Sequence, residues 1–331
     1  MELRSFRELI GHEEIMAHLQ AAIKGGRIAH AYLFAGEAGS GKRTLASLFA
    51  AALLCKEGGT DPCGVCTSCH KAFTNNHPDI IYVQHEKPSV ITVDEIREQV
   101  VGTADIKPYE SRYKIYIVAD ADKMNPQAQN ALLKTIEEPA PFVIVLLLAS
   151  NKEALLPTIL SRCVTLDLRP MSNERIREYL VSEMHISAQE ADVISAFSQG
   201  NIGKARSLAL GGEFSEMVES AAGILSRVRD MSVKQCISHI AALTQQKQNI
   251  YDYLDLFSMW FRDVLMFKAT RDVDSLIFRG RVGAITEQAQ RSSYEGLEKI
   301  LAAIETARNR LKANVNFEIT MELLFLTMME N

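Results

Sequence analysis

The stretch Gly36-Glu37-Ala38-Gly39-Ser40-Gly41-Lys42 follows a short apolar run, residues 31–34, and precedes an amphipathic segment, residues 43–54. A glycine-rich turn between a strand and a helix lets backbone N–H groups point inward, and the N-terminus of the helix favours an anion. The lysine that ends such a turn would reach the terminal phosphates of a nucleotide. We therefore interpret residues 36–42 as a phosphate-binding loop. The alternative is a glycine-rich turn without a ligand.

Short apolar runs alternate with helical patterns on both sides of this loop, up to about Pro170. Near-continuous apolar runs are typical of parallel strands that are covered on both faces. The predicted strands are residues 31–34, 80–83, 115–118, 143–148 and 164–166. Together with the intervening helical patterns, they predict an α/β domain of three layers with a parallel sheet over residues 1–170.

Beyond Pro170 the β-rich runs stop, and the pattern is helical to the end of the sequence. Residues 171–184, 187–198 and 202–210 resemble short helices, and Gly200 is placed as a helix terminator. The pair Gly211-Gly212 indicates a joint. We therefore predict a small helical lid domain at 171–212 and an all-α C-terminal domain at 213–331.

The composition is that of a soluble globular protein, since 47% of the 331 residues are hydrophobic and 23% are charged. Apolar runs long enough to span a bilayer are lacking, and the first residues have no apolar core of a signal peptide. The sequence therefore predicts a cytoplasmic location and no membrane partner. A net charge of −5 argues against a dedicated DNA-wrapping protein, although a local basic surface could contact phosphates.

Four of the six cysteines are clustered with the spacing C-x7-C-x2-C-x2-C. They are Cys55, Cys63, Cys66 and Cys69. In a reducing compartment such a cluster favours a metal site over disulfides, and Pro62 and Gly64 provide turns that let the thiolates converge. Four sulfurs suit a closed tetrahedral Zn²⁺ site with a structural role, so residues 55–69 form a predicted zinc module. A redox C-x-x-C pair and four unrelated thiols are the alternatives. His70 or His77 could replace one cysteine.

The positions that would handle magnesium depart from an active phosphate loop. Arg43 follows the lysine directly, where a Ser or Thr hydroxyl normally coordinates Mg²⁺. Thr44 is one residue late, which is about 100° of helix rotation. The apolar run 115–118 should end in an Asp for the metal, but Ala119 stands there, followed by Asp120. The loop could still hold ATP without efficient hydrolysis. Its candidate residues, as a degenerate nucleotide site, are Gly36, Gly39, Gly41, Lys42, Arg43 and Thr44.

Three further motifs carry a resemblance to a known family. Residues 130–139, Asn-Ala-Leu-Leu-Lys-Thr-Ile-Glu-Glu-Pro, resemble the helix signature of clamp-loader subunits. Residues 156–163, Leu-Pro-Thr-Ile-Leu-Ser-Arg-Cys, resemble their Ser-Arg-Cys segment, and Ile10-Gly11-His12 resembles the segment that flanks their adenine pocket. With the phosphate loop and the cysteine cluster, these motifs cover about residues 6–170. The chain is therefore similar to the clamp-loader subunits of bacterial DNA polymerase III, which belong to the AAA+ ATPase superfamily.

Within this family the departures favour the delta-prime type, which is related to gamma/tau. Active gamma-type subunits keep both magnesium elements and carry a phosphate-sensing arginine in the lid, where Gly203 stands in this chain. The resemblance implies an AAA+ fold with a zinc module, and a hetero-oligomeric ring with gamma/tau and delta subunits. Such a ring loads the sliding clamp on primed DNA. The resemblance also implies that Arg162 acts in trans, as an arginine finger for a neighbouring ATPase subunit.

Further expectations follow from this resemblance. Residues 213–331 would form the collar that joins the ring, and the chain would act as a stator without independent catalysis. As a subunit of a DNA-directed DNA polymerase holoenzyme, it would carry the nucleotidyltransferase label by association. One competing function is an active gamma/tau-type clamp-loader ATPase, which Arg43 and Ala119 oppose. Another is a stand-alone zinc-dependent nucleic-acid-binding module, which the acidic net charge opposes.

Two positions keep a structural alternative beside the functional one. Ser150 and Asn151 end the fourth predicted strand, where the family places a polar residue near the phosphates, but helix capping explains them equally well. Arg162 could be a solvated surface arginine rather than a finger.

Overall fold

The computed structural model describes residues 3–331. The chain divides into two compact units. The first contains the residues up to Met171 together with Asn201–Gly203, and the second contains Ser172–Gly200 and Lys204–Asn331. The three-domain division expected from the sequence stays a prediction.

A five-stranded parallel sheet forms the centre of the first unit, with the strand order β2-β3-β4-β1-β5. The strands are β1 Ala31–Ala35, β2 Ile80–Tyr82, β3 Lys114–Val118, β4 Val143–Ala149 and β5 Val164–Asp167. Each coincides with one of the apolar runs in the sequence, so the predicted parallel α/β sheet is confirmed.

Helices cover both faces of this sheet. They are α1 Glu13–Gly25, α2 Lys42–Leu53, α3 Thr67–Phe73, α4 Val93–Gln99, α5 Pro126–Glu137 and α6 Pro157–Leu160. Successive residues of a strand point to opposite faces. Phe34 of β1 therefore packs in one core with Phe49 of α2, whereas its neighbour Leu33 packs in a second core with Leu132 of α5. The two cores explain why the strands are apolar at nearly every position, and they establish the three layers.

The remainder of the chain is helical. The helices are α7 Asn173–Ser182, α8 Ala188–Ser198, α9 Ile202–Leu210, α10 Gly212–Leu225, α11 Val233–Gln245, α12 Ile250–Thr270, α13 Val282–Arg291, α14 Tyr294–Lys312 and α15 Phe317–Glu330. Trp260 is fully buried in the second unit and donates from Nε1 to Oε1 of Gln288 at 2.8 Å. The predicted all-α C-terminal region is confirmed. In the part of the chain that the structure describes, no helix combines the length and apolarity needed to cross a membrane.

Candidate functional site

The phosphate loop connects the end of β1 to the start of α2, as its flanking patterns predicted. Gly39 and Gly41 have φ angles of 84° and 96°. This left-handed region strains any residue with a Cβ, which accounts for glycine at both positions. The loop therefore ends at the N-terminus of a 12-residue helix, where backbone N–H groups and the helix dipole favour an anion.

Lys42 binds the loop itself in this structure. Its Nζ donates to the carbonyl oxygens of Gly36 and Glu37, the latter at 2.8 Å, and lies 3.3 Å from Oγ of Ser150. Burial lowers the pKa of Lys42, and the carboxylates of Asp122, Asp120 and Glu37 oppose that shift. A bound phosphate would have to draw Lys42 away from these carbonyl groups.

Other loop carbonyls are also engaged by protein groups. Nδ2 of Asn201 donates to the carbonyl of Ala38 at 2.6 Å, and the backbone N–H of Gly203 donates to that of Gly39 at 3.1 Å. A Cβ at Gly203 would lie 2.5 Å from the Gly39 oxygen. Glycine is therefore required at position 203 in this arrangement, and an arginine there would displace the loop.

His12 reaches the same loop from the start of the chain. Its Nε2 lies 3.0 Å from the carbonyl oxygen of Ser40. The Ser40 hydroxyl is buried and has no hydrogen-bond partner among residues 3–331. The resemblance singled out the segment that contains His12, but the spacing of the sequence did not predict this contact.

Arg43 and Asp120, at and beside the altered magnesium-binding positions, contact other side chains. The Arg43 guanidinium carbon lies 5.7 Å from the centroid of the Tyr82 ring, a cation–π contact. Asp120 forms an ion pair with Lys123 at 3.0 Å. Arg43 has no hydroxyl, and Ala119, at the position where an active loop has its metal-binding Asp, has no carboxylate to offer Mg²⁺.

The sequence left two roles open for Ser150 and Asn151, a position near the phosphates and a helix cap, and the two residues differ in which one they take. The backbone N–H of Ser150 donates to Oδ1 of Asp122 at 3.1 Å, so the residue lies beside the loop lysine. Asn151 instead caps a short turn, because its side chain accepts from the backbone N–H of Glu153 at 3.0 Å.

The structure brings the four clustered cysteines together. Their sulfur atoms all lie within 4.8 Å of one another, and those of Cys63 and Cys69 are 3.9 Å apart. A tetrahedral zinc site with Zn–S bonds of about 2.3 Å requires sulfurs roughly 3.8 Å apart, so the arrangement fits. Gly64 adopts a φ of 75°, which turns the chain between Cys63 and Cys66. The cluster can hold one metal ion.

Backbone hydrogen bonds prepare these sulfurs for a cation. The N–H of Cys66 donates to Sγ of Cys63 at 3.3 Å, and that of Cys69 donates to Sγ of Cys66 at 3.4 Å. Burial opposes ionisation of Cys66, but the backbone N–H groups of Cys69 and Lys56 prevail, and the pKa of Cys66 falls to about 6. Burial raises the pKa of Cys69. The hydrogen bonds to Cys66 therefore favour its thiolate, which is the form that binds a metal.

His77 is not part of the cluster. It is buried, and its Nε2 lies 3.0 Å from Oγ of Ser68. Burial lowers the pKa of His77, although Asp79 and Glu110 oppose the shift. This side chain therefore belongs to a neutral hydrogen-bond network beside the cysteines.

Arg162 lies just after α6 with its side chain 40% exposed. Its Nε is 2.8 Å from Oε1 of Glu137, and Nη1 donates to the carbonyl of Thr158 at 3.1 Å. Glu137 belongs to the motif at residues 130–139, so two of the motifs that carry the family resemblance meet in space. An ion pair this exposed is weak and can open at small cost.

Comparison with known proteins gives matches along most of the chain. The family described as "DNA polymerase III, delta subunit" matches residues 11–172, and its C-terminal family matches residues 229–329. DNA polymerase III subunit delta-prime of Bacillus subtilis is 30% identical over 328 residues, which cover 96% of this chain and 95% of that protein.

Shorter matches connect the chain to tau and gamma subunits. Subunit tau/gamma of Haemophilus influenzae is 36% identical over 56% of this chain and 26% of its own length. Subunit gamma/tau of Mycobacterium tuberculosis is 38% identical over 57% of this chain and 32% of its own length. The matched part thus spans about a quarter to a third of these relatives. A gamma-subunit-related structure from Thermotoga maritima is 18% identical, covers 95% of this chain and 98% of its own, and has a TM-score of 0.42.

The match to the Bacillus subtilis protein extends over nearly the whole of both chains, and it includes the helical region that follows the sheet domain. Together with the two family matches, it agrees with the motifs at the phosphate loop and at residues 130–139 and 156–163. The chain belongs to the delta-prime family of DNA polymerase III clamp-loader subunits.

Proposed function

We propose that this subunit is a non-hydrolysing stator, which supports loading of the sliding clamp on primed DNA. The observation that carries this proposal is the residue that follows the loop lysine. An active phosphate loop has its magnesium-binding hydroxyl there, whereas this chain has Arg43, whose guanidinium group lies against the Tyr82 ring. Any ATP that displaced the contacts of Lys42 would stay bound without efficient hydrolysis.

The partners of the stator would be gamma/tau and delta subunits in a hetero-oligomeric ring. The C-terminal helices offer a surface for this assembly. Ile319, Leu323 and Leu326 of α15 are 55%, 46% and 43% exposed and lie on one face of the helix. Val233 and Ile237 are exposed on α11, which packs against α15. We propose that these apolar side chains contact neighbouring subunits in the collar.

Arg162 would serve a neighbouring ATPase subunit. Its guanidinium group is tied to Glu137 by one partly exposed ion pair, and the chain's own phosphate loop lacks the magnesium-binding residues. A planar guanidinium stabilises the charge that develops on a transferring phosphoryl group. In this proposal, docking of the neighbour replaces Glu137 by the phosphates of the neighbour's nucleotide.

The cysteine cluster would hold one structural Zn²⁺. All four sulfurs would be ligands, so the metal would have no open position for a substrate. Elemental analysis of protein purified without added metal should give about one equivalent of zinc per chain. A fully folded protein without metal would contradict the assignment.

The second candidate function is an active gamma/tau-type ATPase, which the identity with those subunits favours. Two measurements on the purified chain separate the candidates. The stator should show negligible ATP turnover alone and should co-purify with gamma and delta subunits as a defined complex. Turnover at the rate of a gamma subunit would establish the alternative.

A further inference from the structure

A loop that precedes β3, residues 103–111, combines an exposed apolar tip with a buried, charged anchor. Ile106 and Tyr109 are 59% and 86% exposed. Behind them, Lys114 is buried, and its Nζ donates to the carbonyl groups of Thr103 at 2.7 Å and Ile106 at 3.3 Å. We refer to residues 103–111 as the anchored loop.

A second buried charge holds the other end of the anchored loop. Asp79 is 1% exposed, and its carboxylate accepts the backbone N–H groups of Tyr109, Glu110 and Ser111. Burial of a carboxylate is costly unless hydrogen bonds compensate it. Here the compensating donors all come from one loop, so the conformation of that loop and the solvation of Asp79 depend on each other.

Helix α3 of the cysteine module contacts this anchor at two places. Lys71 Nζ lies 2.7 Å from both carboxylate oxygens of Glu110. Nδ1 of His77 accepts the backbone N–H of Asp79, so the neutral ring carries its proton on Nε2 and donates to Ser68 at 3.0 Å. A charged contact and a buried polar contact therefore join α3 to the anchored loop.

The cysteines in turn determine where α3 lies. Cys66 caps the N-terminus of the helix, and Cys69 lies in its first turn. A helix of seven residues is not stable on its own, so its position depends on its attachments. A metal that joins these two cysteines to Cys55 and Cys63 would fix the first turn of α3.

We propose that metal binding at the cysteine cluster orders the anchored loop, through α3, Lys71 and the Ser68–His77 contact. This inference rests on the metal site proposed above. In this inference, the metal at the cysteine cluster keeps the exposed side chains of Ile106 and Tyr109 in one conformation. The cluster thereby acts on a surface that lies outside the cysteine segment itself.

Hydrogen–deuterium exchange tests the proposal. Zinc-loaded protein is compared with protein from which a chelator has removed the zinc, and metal content is measured on both samples. Peptides that cover residues 103–111 should exchange faster after metal removal, whereas β1 and β4 should keep their protection.

Variants in the loaded protein decide the matter even if chelation unfolds the first unit. With one equivalent of zinc still bound, Lys71→Ala should accelerate exchange of the anchored loop about twofold to fivefold. Lys152→Ala is the matched control, because Lys152 Nζ lies 2.8 Å from Oδ1 of Asp167, so the variant breaks a similarly exposed ion pair that involves neither α3 nor the anchored loop. That variant should leave the exchange of the anchored loop unchanged.

Because metal binding and loop order are thermodynamically linked, the same coupling can be measured through the zinc affinity. If metal binding orders the anchored loop, then Glu110→Gln, which weakens the contact with Lys71, should raise the dissociation constant for zinc in chelator competition. Absence of bound metal would overturn both this inference and the metal site. Bound zinc with equal loop exchange in the parent, Lys71→Ala and chelated proteins would overturn this inference alone.

Discussion

At the scale of single residues, the first prediction concerns the ion pair between Arg162 and Glu137. Arg162→Ala should leave ring assembly intact, because the pair is exposed and contributes about 1 kcal/mol or less. The same variant should lower DNA-stimulated ATP hydrolysis and clamp loading. Isolated arginine fingers accelerate phosphoryl transfer by roughly 10³ to 10⁵, but a ring with several active sites would lose one finger and therefore less activity.

Two further variants distinguish a finger from a surface arginine. Arg162→Lys should rescue poorly, since an ammonium lacks the planar fork of a guanidinium. Glu137→Gln removes the same ion pair but keeps the arginine, so it should load clamps like the parent. Parental loading by an assembled Arg162→Ala complex would show that Arg162 is a surface residue.

Asp263, in α12, is a buried carboxylate, unlike the exposed ion pair of Arg162. It is 0% exposed, its Oδ2 accepts the N–H groups of Ile277 and Phe278, and its Oδ1 lacks a hydrogen-bond partner within residues 3–331. Burial raises its pKa from 3.8 to about 6, although the two backbone hydrogen bonds oppose this. Because the folded state binds the proton more tightly, the stabilisation is complete below pH 3.8 and is lost as the pH rises through 6.

Asp263→Asn should therefore remove a pH dependence. The unfolding free energy of the parent minus that of the variant should fall between pH 4 and pH 8, by up to about 3 kcal/mol, since one pKa unit corresponds to roughly 1.4 kcal/mol. Fluorescence of Trp260, the single tryptophan and a neighbour on α12, reports the unfolding. The exposed control Asp274→Asn should show no such trend. If the difference in unfolding free energy between the parent and Asp263→Asn stayed constant with pH, the argument would be wrong.

At the scale of the element, the exposed face of α15 gives a prediction about assembly. Leu323→Glu places a charge at the centre of the apolar stripe and should weaken association with gamma and delta subunits at least tenfold. Burial of one leucine is worth about 1.5 to 3 kcal/mol, and about 1.4 kcal/mol changes an equilibrium tenfold. Glu318 is also exposed, but it lies five residues, about 1.4 helix turns, before Leu323 and off the stripe, so Glu318→Lys serves as the charge-changing control in analytical ultracentrifugation. Equal association of both variants would place the contact surface elsewhere.

Elements differed in how far the sequence predicted them. The strands were predictable because each is buried between two cores, which makes nearly every residue of a strand such as β4 apolar. The convergence of the cysteines was predictable because their spacing is short and Gly64 permits a sharp turn. The anchored loop was not, since Asp79 meets Tyr109 from 30 residues away and neither residue carries a periodic pattern.

The same limit applies to the whole molecule. Asn201 binds the phosphate loop from a distance of 163 residues along the chain, and the composition of residues 201–203 contains no signal for that contact. The family resemblance placed Gly203 where active subunits carry a phosphate-sensing arginine, and in the structure this glycine lies against Gly39 of the phosphate loop. Family resemblance thus gave a long-range relation that local patterns lacked.

The last prediction concerns the phosphate loop within the assembled clamp loader. Under the proposed stator function, in which Arg43 and Ala119 preclude efficient hydrolysis at this loop, Lys42→Ala should leave clamp loading almost unchanged. The isolated variant should be less stable by about 1 kcal/mol, since it loses the hydrogen bonds from Nζ to the carbonyls of Gly36 and Glu37. The corresponding lysine variant of the gamma subunit serves as the positive control and should abolish loading. If an intact complex with Lys42→Ala loaded clamps as poorly as that control, this loop would take part in the ATP cycle, and the subunit would not be a stator.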